Sequence, residues 1–354
     1  MRVLLVVNSA ASSVTARRRV MVSRALGEVA GPHGDGAELY VAETRRRGHA
    51  TSLARAAARN GTDAVVVLGG DGTLNEVATA LAGTGCALAV LPGGSTNVFA
   101  RTLGLPEDPV KAAEVVAGSL AARRFHRIGL GQVNGRYFTF HTGVGWDAAL
   151  VEIVERHAEL KRYAGHPLFI WAGIRTFTGA YDRHRPHLDV TFDDGEVIEG
   201  SYFTLVMNSD PYTFVGNRPF TVSPAADLRS GLSVISMTSL RAADFVPVVI
   251  DALRDRSGIR ERPGLTIRER VTAFTLTRRT TMPYQVDGDY LGEADELRFT
   301  HHPDAVRLVV PAGFAERSAG TAGPGAGAPG WATARPARRW RALPARRGPW
   351  PARW

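Results

Sequence analysis

Apolar residues in the first 127 positions come in short runs, at 3–7, 38–41, 64–68 and 87–91, rich in Val, Leu and Ala. Runs of that length and content read as strands. Between them, 15–30, 50–59 and 74–81 carry a helical pattern. The order βαβα predicts a mostly parallel, doubly wound sheet. After residue 128 the pattern changes. Asn134-Gly135 lies between strand-forming residues, the signal of a tight hairpin. Further strand-like runs fall at 188–192, 202–207, 232–237, 273–277, 296–300 and 306–310, interrupted by a helix-like section from Trp146 to about Ala180. Many strands with few helices predict a largely antiparallel β domain. The expected organisation is an α/β domain over 1–128, a β-rich domain over 129–313 and a tail over 314–354.

Composition changes this picture mainly at the end of the chain. The 354 residues contain 44% apolar side chains, enough for ordinary cores, and their number fits two domains. The net charge of +9 is mostly a property of residues 315–354, which carry +7 and leave about +2 for the body. That segment has a Gly/Ala/Pro stretch with no means of forming a core, and is expected to be disordered. It also holds Trp331, Trp340, Trp350 and Trp354 among arginines, a combination that suits an anionic lipid surface or is merely compositional. No folded nucleic-acid module accompanies it, so no specific nucleic-acid partner is expected. The single cysteine, Cys86, excludes an intramolecular disulfide framework and fits a reducing cytoplasm. The run at 3–7 is too short for a signal peptide, and no segment has the roughly 20 apolar residues of a spanning helix.

The candidate chemistry lies where two strands end. The run at 64–68 breaks into Gly69-Gly70-Asp71-Gly72-Thr73 before a helix, and the run at 87–91 into Pro92-Gly93-Gly94-Ser95-Thr96-Asn97 before another. Glycines let backbone amides approach a ligand, and a helix N-terminus adds a positive dipole end, so both loops suit phosphate. Neither is a Walker A loop or a clean G-x-G-x-x-G fingerprint. The only lysines are Lys111 and Lys161. Backbone amides with Thr73, Ser95, Thr96 and Arg101 are therefore expected to hold the phosphates. Taken alone, one such loop is also an ordinary tight turn.

Gly69-Gly70-Asp71-Gly72-Thr73-Leu74-Asn75-Glu76, followed by Leu91-Pro92-Gly93-Gly94-Ser95-Thr96-Asn97-Val98-Phe99-Ala100-Arg101, resembles the catalytic domain of the diacylglycerol kinase family, which includes sphingosine and ceramide kinases. Gly143-Val144-Gly145-Trp146-Asp147-Ala148 and Gln285-Val286-Asp287-Gly288-Asp289 extend the resemblance to roughly residues 1 to 313. The first loop is also shared with NAD kinases and phosphofructokinases; the four blocks in order are more specific. The resemblance implies an ATP-dependent lipid kinase using Mg²⁺, with the nucleotide and lipid head in a cleft between the domains. It further implies nucleotide contacts from Asn8, Thr44, Gly69, Gly70, Asp71, Gly72, Thr73, Asn75, Glu76, Gly94, Ser95, Thr96 and Asn97. Asp71 either holds its turn or helps place the metal. Asp287 is the expected base, Asp289 stands where the family has Glu, and Asp147 is the expected second carboxylate. Which of Asp287 and Asp289 faces the acceptor stays open. Read without the resemblance, Asp287-Gly288 is a hairpin turn, Asp147 a helix cap and Thr44 a loop residue.

The chain departs from the family at three places. Asn8 keeps its position but lacks the following proline and glycine. Val98 replaces an aspartate, and Asp227-Leu228-Arg229-Ser230-Gly231-Leu232 lacks an acid expected of a structural Mg²⁺ turn. The stretch 168–177 is a core helix or an acyl-chain wall, and His141, His166 and His184 form no zinc-spaced cluster. The expected acceptor is a lipid alcohol, first diacylglycerol and next a sphingoid base, met at the inner face of the cytoplasmic membrane by a peripheral protein that could pair as a homodimer. A non-catalytic membrane-binding relative is the reading of another class.

Overall fold

A computed structural model describes residues 1–28, 38–156, 188–254 and 257–314. The amino-terminal half opens β1 (Arg2–Val7), α1 (Ala16–Gly27), β2 (Glu38–Glu43), α2 (His49–Arg59), β3 (Ala64–Gly69), α3 (Asp71–Leu81) and β4 (Ala87–Pro92). Strands β2, β1, β3 and β4 lie side by side and pair in parallel. Every residue of β3 and β4 is buried, as expected of strands covered by helices on both faces. The short helix α4 (Val98–Thr102) and α5 (Pro109–Ala121) follow. The apolar runs did not single out α5, yet its start is well marked. Asp108 accepts hydrogen bonds from the Val110 and Lys111 amides, and Pro109 occupies the first turn.

The second half is dominated by antiparallel pairing. It contains β5 (Phe125–Val133), β6 (Arg136–Phe138), β7 (His141–Gly145), α6 (Trp146–Arg156), β8 (Leu188–Phe192), β9 (Val197–Ser201) and β10 (Phe203–Met207). The hairpin β11 (Thr213–Val215) and β12 (Arg218–Phe220) comes next, then β13 (Leu232–Met237) and α7 (Ala242–Arg254). The chain closes with a 3-10 turn (Ser257–Glu261), β14 (Leu265–Val271), β15 (Ala273–Val286) and β16 (Asp289–Val309). The last two strands are far longer than their apolar stretches indicated. Asn134 and Gly135 both take positive φ, which gives the expected turn between β5 and β6.

The sheet does not break where the pattern changes at residue 128. Strand β16 pairs with β15 and β5, then its end runs parallel to β4. Ala305, Val306 and Leu308 thereby join the same core as β1, β3 and β4. Two further cores lie on the second half, one around Phe138, Phe274 and Phe299, the other around Phe203, Met237 and Val248. Among the described residues no helix is long and apolar enough to cross a membrane. The stretch 168–177, His166, His184 and the tail 315–354 with its tryptophans lie outside the described residues, as does most of the expected helix beyond Arg156.

Candidate active site

The two glycine loops sit back to back at the carboxyl edge of β3 and β4, where open α/β sheets bind ligands. Gly93 donates its amide to the Gly69 carbonyl at 2.9 Å. A Cβ on Gly93 would fall 2.7 Å from the Gly69 nitrogen, and one on Gly94 2.8 Å from the Gly70 Cα. The approach of the two backbones therefore demands glycine at 93 and 94.

Several residues expected to hold nucleotide also hold the loops. The Asn97 carboxamide oxygen accepts from the Gly93 and Gly94 amides at 3.1 and 2.7 Å, while its nitrogen donates to the Gly94 carbonyl. Asp71 accepts from the Val98 and Phe99 amides at 3.0 and 3.3 Å, binding the first loop to the start of α4. Asn8 donates to the Thr73 hydroxyl at 2.9 Å. Glu76 accepts from the Gly48 and Ala50 amides at 2.7 and 3.1 Å, which caps α2 from outside. Asn75 is buried and bridges the halves, donating to the Tyr137 carbonyl and to Asp287. Arg101 is turned away from the loops: it donates to the Gly216 carbonyl, pairs with Glu107 and lies 3.9 Å from the Phe214 ring centre.

The loop surface left open consists of Gly70, Gly72, Thr73, Gly94, exposed Ser95 and half-buried Thr96. No side chain caps α3, whose N-cap is Gly70. Its first-turn amides and dipole make an anion site. Thr44 stands half-buried at the end of β2, its amide on the Val7 carbonyl at 2.8 Å.

The two acids of the Asp-Gly-Asp turn have opposite environments. The Asp287 carboxylate is 5% exposed and accepts five hydrogen bonds. Asn75 and the Thr139 amide and hydroxyl reach one oxygen at 2.7–2.8 Å; the Phe140 and His141 amides reach the other at 3.0 and 3.2 Å. Burial raises its pKa, against the pull of those donors, which favour the ionised form. With both oxygens engaged, Asp287 clamps β15 to the 139–141 segment. Asp289 is 32% exposed and pairs with Arg47 at 2.7 Å and Arg136 at 3.7 Å. A Cβ on Gly72 would lie 3.6 Å from each of its oxygens, so this carboxylate stands over the first loop.

Asp147, at the start of α6, is buried rather than facing the cleft. Its oxygens accept from the Tyr212 hydroxyl at 2.6 Å and the Gln285 amide at 2.9 Å. Burial raises its pKa and those two donors lower it. Gln285 in turn accepts from the Gly288 amide at 2.9 Å, so Asp147 reaches the Asp-Gly-Asp turn through one side chain. His141 stacks on Tyr212, 4.3 Å between ring centres, and burial pushes its pKa down to about 3.

Sequence reading missed Arg47, Arg136, Thr139, Gln285 and Tyr212. The run Arg45-Arg46-Arg47 just beyond β2 was the available signal for the first; nothing local marked Tyr212. Among the described residues no three His, Cys, Asp or Glu gather as a metal cage. At the doubtful metal turn, the Arg229 and Ser230 amides take one Asp227 oxygen, at 2.7 and 2.9 Å. The described residues of this turn therefore offer an ion no group of carboxylates.

Residues 2–133 match the model of the diacylglycerol kinase catalytic domain. A protein of Bacillus subtilis called diacylglycerol kinase is 30% identical over 271 residues, covering 73% of this chain and 81% of that protein. A probable lipid kinase YegS-like of Pseudomonas aeruginosa is 29% identical over 287 residues, 80% of this chain and 89% of its own length. The fold is similar to that of a putative diacylglycerol kinase from Bacillus anthracis, with a TM-score of 0.69 at 21% identity, covering 88% of this chain and 96% of that one.

Proposed function

The chain belongs to the diacylglycerol kinase family of lipid kinases, and from that membership we propose that it moves the γ-phosphate of ATP to a lipid hydroxyl, diacylglycerol giving phosphatidate. The observation that supports the reading is the accessible Asp289 carboxylate over Gly72, beside two glycine loops with an uncapped helix start. The loop amides, Thr73, Ser95 and Thr96 hold the phosphates. Asp289 takes the proton of the acceptor hydroxyl as its oxygen bonds to the γ-phosphorus and the bond to the ADP oxygen breaks. Arg47 and Arg136 hold Asp289 and add positive charge where phosphoryl oxygens lie. Mg²⁺ brought by the nucleotide would neutralise phosphate charge, since such ions bind through substrate phosphates with one or two carboxylates. Asp287, Asp147, Asn75, Asp71, Glu76 and Asn97 keep this surface in shape. The protein meets its acceptor peripherally, at the cytoplasmic face of the membrane.

The test is transfer of labelled γ-phosphate to diacylglycerol, sphingosine, ceramide and a polyprenol in mixed micelles, with NAD as control. Labelling of diacylglycerol above the others is expected. Labelling of sphingosine alone would move the acceptor, and none at all, with ATP bound, would overturn the reading.

A further inference from the structure

Helix α7 has the wrong outer face for a helix in water. A surface helix carries polar residues outward. On α7 both acids turn inward or to an end: Asp251 is buried against Arg262 at 2.7 Å, and Asp244 accepts from the Ser239 hydroxyl at 2.6 Å. The outward residues are Ala242, Ala243, Val246, Ile250 and Arg254, with Val246 46% and Ile250 38% exposed. The β11–β12 hairpin packs beside this helix: the Thr221 amide just past β12 donates to the Ala252 carbonyl at 3.0 Å. Val215 at its tip is 39% exposed and is followed by exposed Arg218. Exposed Arg241 stands before α7 and exposed Arg254 ends it, and neither the hairpin nor the outward face of α7 contains an acid.

We propose that this face, Val215 with Val246 and Ile250 inside a rim of Arg218, Arg241 and Arg254, seats the protein on an anionic lipid surface. Apolar side chains entering the acyl boundary with guanidinium groups at the phosphates is the chemistry of interfacial binding. A second copy is a poorer occupant, because a two-fold contact would set the same arginines against each other. The hairpin also touches both halves of the site. Gly216 and Phe214 hold Arg101 beyond the second glycine loop, and Tyr212 at its base holds Asp147. Seating the hairpin thus places the lipid source next to the phosphate-binding edge. What the seating serves rests on the lipid-acceptor reading; the seating itself does not.

The experiment uses the full chain and vesicles of phosphatidylcholine with or without phosphatidylglycerol, read by co-sedimentation. Wild type is expected to bind the anionic vesicles and release at high salt. The Val246→Asp, Ile250→Asp double variant is expected to partition about tenfold less, since two apolar insertions are lost, with its melting midpoint and its transfer to a dispersed short-chain diacylglycerol unchanged. Arg218→Glu with Arg241→Glu is expected to weaken binding to anionic vesicles only. Equal sedimentation of the aspartate variant and wild type would overturn the proposal. So would a wild-type dimer that the aspartates split, which would give the face to a second copy. Loss of vesicle binding in a protein that phosphorylates no lipid would keep the seating and reject the kinase reading.

Discussion

Two aspartates separated by one glycine are expected to fail differently when each becomes asparagine. Asp287→Asn keeps the shape and replaces one acceptor oxygen by an NH₂ group. If its oxygen stays with the Phe140 and His141 amides, the new NH₂ faces Asn75 and the Thr139 amide; the flipped amide faces Phe140 and His141 instead. Either way two buried N–H donors lose their acceptor, at about 1–3 kcal/mol each. Removing a buried charge returns part of that, in keeping with the upward pKa of Asp287. A net loss of about 2–4 kcal/mol remains, or roughly 3–6 °C in melting midpoint for a chain of this size. Asp289→Asn removes only ion pairs between partly exposed side chains, which contribute about 1 kcal/mol or less. Its melting should hardly move, while phosphate transfer falls by about 10²- to 10⁴-fold, the usual contribution of a general base. Calorimetry, and lipid-phosphate formation at a temperature where each variant is folded, decide the matter. Full turnover by Asp289→Asn beside a folded but inert Asp287→Asn would return the base to Asp287.

Three further outcomes follow from the same contacts. His141 is buried with Tyr212, Phe140, Gln285 and, beyond Gln285, Asp147 around it, and its pKa is held at about 3. A depressed base stabilises the fold above its unfolded pKa and loses that stability as pH falls from about 6.5 toward 3. Between pH 7 and 5 wild type should therefore lose about 2 kcal/mol more than His141→Phe in denaturant titrations; parallel losses would mean the imidazole is solvated. Gly93→Ala drives a methyl to 2.7 Å from the Gly69 nitrogen, so the loops must part; a stability loss of about 1–3 kcal/mol and a raised KM for ATP are expected, and wild-type values for both would contradict the packed loops. Tyr212→Phe leaves a buried Asp147 oxygen without its donor, costing about 1–3 kcal/mol. It should lower kcat more than KM, through Gln285 and the Gly288 amide, and shift the pH profile; a change in melting alone would make Tyr212 merely structural.

The parallel half was legible because its strands are buried on both faces, so their sequence is apolar without interruption. Strands β1, β3 and β4 fall where the runs place them, and β2 extends only to Glu43. The alternating half was legible in type and not in extent. Strands β15 and β16 cross polar stretches such as Arg278 and Glu293, because pairing along exposed ribbon carries them past the core. Helix α7 escaped because Pro247 lies inside it, a residue that ordinarily ends a helix. The return of β16 to β4 is a matter of topology, and a short apolar run such as 306–310 says nothing about which strand it will join.

The site motifs located the loops but could not divide their residues between contact and support. Asparagine and aspartate are chosen equally for gripping a ligand and for gripping a turn, since one carboxamide or carboxylate serves either set of amides. Asn97, Asp71 and Glu76 have their oxygens spent on backbone amides, which only the folded neighbours reveal. The Asp-Gly-Asp block shows why. Asp287 and Gly288 both take positive φ and form a two-residue turn, with Val286 opposite Asp289 across the hairpin. The turn reading and the active-site reading of that block are thus not rivals. The turn points Asp287 back onto the amides of 139–141, and the next strand position turns Asp289 toward Gly72. The hairpin geometry itself sends one acid into the scaffold and the other to the cleft.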